Sequence, residues 1–483
     1  MQIFKRFAAG LLALSLAFQT VLADDLPELG DIASNELSLP AEKKIGQQIM
    51  NDIRAREPAY LDDADIEAYL NQLGNRLVAF SKDPGFGFYF FPINDASINA
   101  FAMPGGYIGV HSGLILASES ESELAGVLAH EISHVTQRHI ARQVFQSRQM
   151  GMASMAAMLL ALLAARSNGQ VATAAIATTQ AGSISSQLAF SRDFEREADR
   201  LGFEIMRKSG FDVRGMSIFF QRLQKAVRLY ENNATAYLRT HPLTGERLSD
   251  MQNRDQATSY RQVPDSLDFL LVRAKLRAMQ GLPAEAVKDF ENLLREGKYA
   301  SEPAIRYGLA FARYRSRDWA GAGREIEAIR RPKASSAMIE RLRADIRLAQ
   351  GEDNGALAIY REAMVRFPLN QALNYGYAAA LAQTRRFDDL RLFVETQLQS
   401  YPEDIRLHKL RAESYAGLGR VSMQHRALAE VFALQGQTAG AIEQLQIAQR
   451  AGDGNFYEMS SVEARLAELK RRQLEELKEK RRW

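Results

Sequence analysis

Two histidines and a glutamate in the segment His130-Glu131-Ile132-Ser133-His134 have the spacing of a metal site on a helix. Histidines four residues apart lie within about 40° of each other around an α-helix, so both imidazoles can bind one metal ion. Glu131 then lies beside that metal, where its carboxylate can accept a proton from bound water. This combination is typical of zinc-dependent peptidases. A capping box of Ser120 and Glu123 predicts where the helix begins.

A catalytic zinc site needs a third protein ligand and one open position. The candidate is Glu195, which follows His134 by 61 residues on another predicted helix. Glu197 competes with it, but the two side chains point about 200° apart around a helix, so only one can face the metal. We favour Glu195. Asp199, one turn later on the same face, is predicted to accept the ring N–H of a metal-binding histidine.

Among the remaining histidines, His241 is the one for which we predict a role. It lies in an apolar-flanked loop after the helices that carry the site, and we expect it at the zinc or against the reacting carbonyl oxygen. A loop histidine satisfied by backbone groups is the alternative. His139 follows His130 by nine residues, which in an unbroken helix places it on the opposite, solvent-facing side. No role is predicted for His111, His408 and His425.

The composition limits the classes of function. A chain of 483 residues with 46% hydrophobic and 25% charged residues is expected to form two or three globular domains. A net charge of +3 gives no support to nucleic-acid binding. The chain has no cysteine, which excludes disulfides, thioether lipid attachment and thiolate metal ligands. Any zinc must therefore be held by histidine and carboxylate groups, as in catalytic sites.

Two apolar segments of the sequence indicate where in the cell the protein is located. Residues 1–23 have the pattern of a signal peptide, with Lys5 and Arg6 before an apolar run and Ala23 at the cleavage position. They predict export, and a chain without cysteine suits a bacterial periplasm; an uncleaved anchor is the alternative. Residues 151–178 are nearly uncharged, but their most apolar part, Met152 to Ala165, is too short to span a bilayer. We predict a buried or interfacial hairpin, which leaves peripheral membrane contact open.

Residues 24–260 are predicted to form a mainly α, zincin-like metallopeptidase domain. Three strand-like segments at residues 88–93, 98–103 and 107–111 indicate a small antiparallel sheet that leads into the His130 helix. The third of these, Tyr107–Val110, is our expected edge strand, to which an extended substrate would add.

Beyond Asp265 the pattern becomes purely helical and repeats. The turn positions Gly281, Arg317, Gly351, Arg385 and Gly419 are separated by 36, 34, 34 and 34 residues. This is the period of tetratricopeptide helix pairs, so residues 267–455 are predicted to form an all-α solenoid with a concave surface. Residues 456–483 are predicted to form a charged C-terminal helix.

The motifs together resemble those of the HtpX/CAAX-prenyl-protease-like zinc peptidases. The matching elements are His130-Glu131-x-x-His134, Glu195-x-x-x-Asp199, the Pro104-Gly105-Gly106 turn and Thr240-His241-Pro242 with Arg247. For an exported chain with a repeat tail, the resemblance implies one zinc ion per chain and quality control of outer-membrane β-barrel proteins in a Gram-negative periplasm. The implied partners are unfolded or stalled outer-membrane proteins and, through the repeats, the β-barrel assembly machinery. The resemblance also implies that His241 can occupy the fourth zinc position and keep the enzyme latent.

The function that we predict is zinc-dependent endopeptidase activity, with a chaperone-like contribution from the repeats. Glu131 is the predicted general base, and His241 a second catalytic candidate. A noncatalytic repeat-based chaperone or adaptor with a latent zinc site is the alternative, although a purely structural site has no need of Glu131. A membrane-embedded prenyl-protein protease is disfavoured because no segment is long enough to span a bilayer.

Overall fold

The computed structural model describes residues 37–82, 85, 87–146, 191–229, 235–256, 258, 261–330 and 335–481. The predicted signal peptide and the apolar segment 151–178 lie outside these ranges. Within them, no helix combines the length and the apolar character needed to cross a membrane.

The N-terminal part is a helical domain around one small sheet. Its elements are α1 Leu39–Arg56, α2 Ala64–Val78, β1 Tyr89–Ile93, β2 Ala100–Met103, β3 Tyr107–His111, α3 Ser112–Ala117, α4 Glu121–Thr136, α5 His139–Gln146, α6 Arg192–Ser209, α7 Arg214–Leu229, α8 Thr235–Thr240 and α9 Gly245–Gln256. The predicted mainly α fold class, a domain with a small sheet followed by an all-α stack of helices, is confirmed.

The sheet differs from our expectation in its topology. Its strand order is β1-β3-β2, with β2 antiparallel and β1 parallel to β3. The Pro104-Gly105-Gly106 turn, with φ of 76° and 84° at its two glycines, closes a β2–β3 hairpin and makes that pair antiparallel. No hairpin joins β1 to its neighbour β3, so their relative direction is not constrained in this way. The prediction of a wholly antiparallel sheet is therefore wrong, and so is the prediction of β3 as an edge strand, because β3 is central.

Helix α4, which carries the His-Glu-x-x-His segment, runs through the middle of the domain. Ser120 caps its first turn by accepting from the Glu123 amide, which is one half of the predicted capping box; the Glu123 carboxylate accepts from the Glu119 amide instead. Every residue from Glu121 to Thr136 is buried. Gly202 of α6 lies so close to α4 that an added Cβ would be 3.1 Å from the His130 amide nitrogen. The missing side chain lets the two helices approach closely, and that approach brings the acidic segment of α6 to the histidines.

The C-terminal part is a stack of helices with the predicted period. They are α10 Leu267–Met279, α11 Pro283–Glu296, α12 Glu302–Arg315, α13 Trp319–Arg330, α14 Ala337–Ala349, α15 Asp353–Arg366, α16 Gln371–Gln383, α17 Phe387–Ser400, α18 Ile405–Gly417, α19 Val421–Leu434, α20 Thr438–Ala451 and α21 Phe456–Arg481. The five predicted turn residues all have positive φ, from 58° to 79°, including Arg317 and Arg385. Each lies in the short turn between the helices of a pair.

The two parts share buried contacts across residues 261–266. Lys275 of α10 lies 2.7 Å from Asp63 and 2.6 Å from Asp65, which flank the start of α2. The Glu121 carboxylate accepts from the Ser266 hydroxyl at 2.6 Å. One hydrophobic core extends from Ile66 to Ile346. The division into domains at residues 260 and 267 stays a prediction, and these contacts mean that the two parts do not pack separately.

Candidate metal centre

Four side chains converge at one buried point. Single ligand atoms of His130, His134, Glu195 and His241 all lie within 4.8 Å of one another. The Nε2 atoms of His130 and His134 are 3.0 Å apart, and each is 3.5 Å from a Glu195 carboxylate oxygen. All four side chains are at most 1% exposed. The α4 and α6 helices supply the first three, and the loop after α8 supplies His241.

The chemistry of this donor set fits zinc. Nδ1 of His130 is 3.0 Å from Asp199 Oδ1, so a neutral ring carries its proton there and presents the Nε2 lone pair to the cluster. Burial holds the pKa of His134 well below its usual value, which favours the neutral ring that binds metals. Burial also lowers the pKa of His130, but hydrogen bonds with Asp199 and Glu195 outweigh it and raise the pKa to about 9, so a metal that binds at neutral pH must displace a proton from Nε2. Two imidazoles and one carboxylate are the ligands of catalytic zinc.

Asp199 and Glu195 are held in place by one buried arginine. Arg247 of α9 donates to both oxygens of Asp199 at 2.7 and 2.8 Å, and lies 2.6 Å from Glu195 Oε2. It also donates to the Pro242 carbonyl at 2.7 Å, which ties the His241 loop to the same network. An arginine that pairs with two carboxylates offsets the cost of burying them.

Glu131 lies beside the cluster and points towards β2. Its Oε2 accepts from the Ala102 amide at 3.1 Å, while Oε1 is buried and accepts no hydrogen bond within the described ranges. Burial raises the pKa of this carboxyl, the direction required of a general base near neutral pH. Oε1 is the oxygen that could accept the proton of a water once His241, whose Nε2 lies 3.3 Å away, has moved.

His241 approaches both the cluster and Glu131. Its Nδ1 is 2.9 Å from Glu195 Oε1 and 3.4 Å from His130 Nε2, while its Nε2 is 3.3 Å from Glu131 Oε1. Tyr237 stacks on the His241 ring with centroids 4.6 Å apart. The structure thus brings His241 to the site, as the sequence-based expectation allowed, and places it between the metal-binding groups and the base.

The prediction that His139 lies at the surface is wrong. His139 is fully buried, and its Nδ1 is 2.8 Å from His134 Nδ1. The extrapolation failed because α4 ends at Thr136 and Arg138 takes a φ of 53°, so His139 begins a new helix in a new direction. A single arginine with positive φ outside a repeat is uncommon and is not indicated by its residue type.

The choice between the two glutamates of α6 agrees with the geometry. Glu195 points into the cluster, whereas Glu197 binds His139 Nε2 at 3.0 Å and Arg142 at 2.9 Å. The hydrogen bond from His139 lowers the pKa of Glu197 to about 2, against the opposing effect of burial.

Sequence reasoning gave no role to Tyr237 and none to Arg247 beyond its place in the motif. Both are buried beside the site. No pattern in the sequence around Tyr237 indicates a role for it. A role for Arg247 could have been predicted, because the buried acidic pair Glu195 and Asp199 needs a cation beside it. His111, His408 and His425 bond to residues outside the cluster: Ser97, Pro402 and Gln444.

Comparisons with known proteins match the part of the chain that carries this site. Residues 64–255 match the model of peptidase family M48. The chain is 31% identical over 449 residues to the β-barrel assembly-enhancing protease of Yersinia pestis, covering 93% of this chain and 92% of the relative. It is 30% identical over 455 residues to the protein of that name in Escherichia coli strain K12, covering 94% and 92%. The mitochondrial metalloendopeptidase OMA1 of Schizosaccharomyces pombe is 27% identical over 226 residues, covering 45% of this chain and 62% of the relative.

The fold, the site and these matches define a metalloprotease. Within that class, the chain belongs to peptidase family M48 and to its β-barrel assembly-enhancing proteases.

Proposed function

We propose that this protein is a zinc endopeptidase that binds one zinc ion per chain through His130, His134 and Glu195. The observation that carries the proposal is the convergence of these three side chains at a buried point, with the Glu131 carboxylate beside them. Zinc bound there would polarise the scissile carbonyl and lower the pKa of a coordinated water to about 7.

Each neighbouring residue has a role in this proposal. Glu131 accepts the proton of the attacking water at Oε1 and later delivers it to the leaving amine, a contribution of about 10²–10⁴-fold in rate. Asp199 fixes the ring of His130 by accepting its Nδ1 proton. Arg247 fixes the Glu195 carboxylate by holding one of its oxygens.

The substrate is proposed to bind as an extra strand along β2. Because β3 is paired on both sides, the outer strands of the sheet are β1 and β2. Strand β1 is partly covered by a bridge between Ile93 and Tyr60, whereas the Ala102 amide connects β2 directly to Glu131. Backbone pairing with this edge selects extended, unfolded segments with little dependence on side chains.

The position of His241 supports a latent resting state. With Nδ1 against the metal-binding groups and Nε2 against Glu131, the ring blocks both the open coordination position and the base. Substrate or a partner would have to move the His241 loop before cleavage, breaking the hydrogen bond from Arg247 to Pro242.

The biological role that we infer is quality control of outer-membrane β-barrel proteins in the periplasm. The names of the Yersinia pestis and Escherichia coli relatives support a role in β-barrel assembly. The cleaved proteins would be unfolded or stalled barrel proteins, and the helical repeats would bind the β-barrel assembly machinery on their concave face.

Cleavage of an unfolded protein by the purified chain tests the activity. We expect casein cleavage that a chelator abolishes and added zinc restores, together with one zinc per chain by elemental analysis. Activity that survives complete zinc removal would contradict the proposal. A chain that binds zinc but cleaves nothing, even as His241→Ala, would favour the adaptor alternative.

A further inference from the structure

Acidic residues of α6 are linked to both metal-binding histidines of α4, to one directly and to the other through a third histidine. Asp199 reaches His130 directly, with Oδ1 at 3.0 Å from Nδ1. The Nδ1 atom of His134 faces His139 Nδ1 at 2.8 Å, and the far nitrogen of His139 faces Glu197 Oε2 at 3.0 Å.

We propose that His139 and Glu197 are positioning residues that fix the ring of His134 for metal binding. The inference rests on the proposed zinc site and extends it to two residues outside the cluster. Because Glu197 lies two residues after Glu195 on α6, one short segment of this helix would supply a ligand and orient both histidines.

The hydrogen-bond directions follow once Nε2 of His134 binds a metal. The neutral ring of His134 then carries its proton on Nδ1 and donates it, so His139 Nδ1 must accept. A neutral His139 therefore carries its own proton on Nε2, where the Glu197 carboxylate accepts it. Every nitrogen of the two rings has one defined role, and the negative charge at the end of the chain makes His134 a stronger ligand.

The surroundings of His139 hold it in this orientation. The ring is fully buried and stacks on Phe194 with centroids 4.5 Å apart and an 11° angle between planes. Glu197 is held in turn by Arg142 at 2.9 Å. Packing alone does not require an imidazole at this position, since Phe could stack on Phe194 in the same way. The place of the ring between a metal ligand and a carboxylate therefore indicates a polar role.

The zinc dissociation constant, measured on the full chain by competition with a chromophoric chelator, tests the proposal. His139→Phe keeps a ring against Phe194 but removes both nitrogens, and we expect it to weaken zinc binding by about 10–100-fold. His139→Asn keeps an oxygen near the position of Nδ1, so its affinity should lie between those of the wild type and His139→Phe. This partial rescue would not occur if the residue only filled space.

Glu197→Gln tests the second step, and Glu204→Gln is its matched control on the same helix, because Glu204 is an exposed partner of Arg207. We expect Glu197→Gln to weaken zinc binding by about tenfold and Glu204→Gln to leave it unchanged. In the His139→Phe background, Glu197→Gln should add almost nothing, because its effect passes through His139.

Two outcomes would overturn the proposal. Unchanged zinc affinity in His139→Phe or, if that variant does not fold, in both His139→Asn and Glu197→Gln would exclude the link. Additive losses in the double variant would show that Glu197 acts by another route. If the wild-type chain bound no zinc at all, the proposed function itself would fail, whereas a wild type that binds tightly limits the failure to this inference.

Discussion

At the residue scale, His241 faces a metal-binding group with one nitrogen and the proposed base with the other, since Nδ1 is 2.9 Å from Glu195 and Nε2 is 3.3 Å from Glu131. We predict that His241→Ala increases the initial rate of casein cleavage, because the imidazole no longer competes with water or blocks Glu131. The measurement compares initial rates on one unfolded substrate at equal zinc content. If His241 instead stabilises the developing oxyanion, the variant would lose about 10²–10³-fold in kcat, and the latency proposal would be rejected.

The sequence predicts the residues of the site unevenly, and helix geometry explains why. His130, Glu131 and His134 lie within one helix, where the spacing alone places them. Glu195 and Asp199 follow from the same geometry on α6. His139 could not be placed, since its position depends on the backbone turn at Arg138. The contact between His241 and Glu131 depends on how a loop folds back, which no local pattern encodes.

At the element scale, the repeats depend on small residues where a helix of one pair meets a helix of the next. Gly308 of α12 lies against Phe290 of α11, where an added Cβ would be 2.3 Å from the ring. We predict that Gly308→Ala lowers the free energy of unfolding by about 1–3 kcal/mol, because the ring must move within a packed core. The midpoint of denaturant unfolding measures the effect.

Gly323→Ala on α13 is the matched control for this substitution. The nearest atom to its added Cβ is 3.8 Å away, so alanine should be neutral or stabilise by about 0.5–1 kcal/mol through its higher helix propensity. Similar destabilisation by both variants would mean that packing against Phe290 is not the cause.

At this scale, the turns and the period of the repeats could be predicted from the sequence, whereas the topology of the sheet could not. The recurring Gly and Arg positions predict the helix-pair turns because the period is set by local geometry, and positive φ at all five bears this out. The side on which β1 pairs depends on the path of the chain between β1 and β2. That path is determined by tertiary packing, so the positions of three strand-like segments in the sequence do not predict it.

At the scale of the whole molecule, the peptidase part and the repeats are joined by a buried ion pair. Lys275 is 4% exposed and contacts Asp65, which is 7% exposed, as well as Asp63. We predict that Lys275→Met destabilises the protein by about 1–3 kcal/mol, since Asp63 loses its buried cation while Asp65 keeps its ion pair with Arg341. Denaturant unfolding of the full chain measures this loss.

Lys298→Met provides the control for that variant. Lys298 is 78% exposed and pairs only with Glu296 among the described residues, so the change should stay within about 0.5 kcal/mol. If Lys275→Met were equally mild, the contact between the two parts would contribute little, and independent domains as divided from the sequence would be favoured.

The central claim is that Glu131 acts as the general base of a zinc peptidase, and the initial cleavage rate of Glu131→Gln tests it most directly. Glutamine keeps the size of the side chain and can still accept from the Ala102 amide, so zinc content and fold should persist. We predict that cleavage of an unfolded protein falls by about 10²–10⁴-fold relative to the wild type. A folded, zinc-loaded Glu131→Gln protein that cleaves at nearly the wild-type rate would contradict the account.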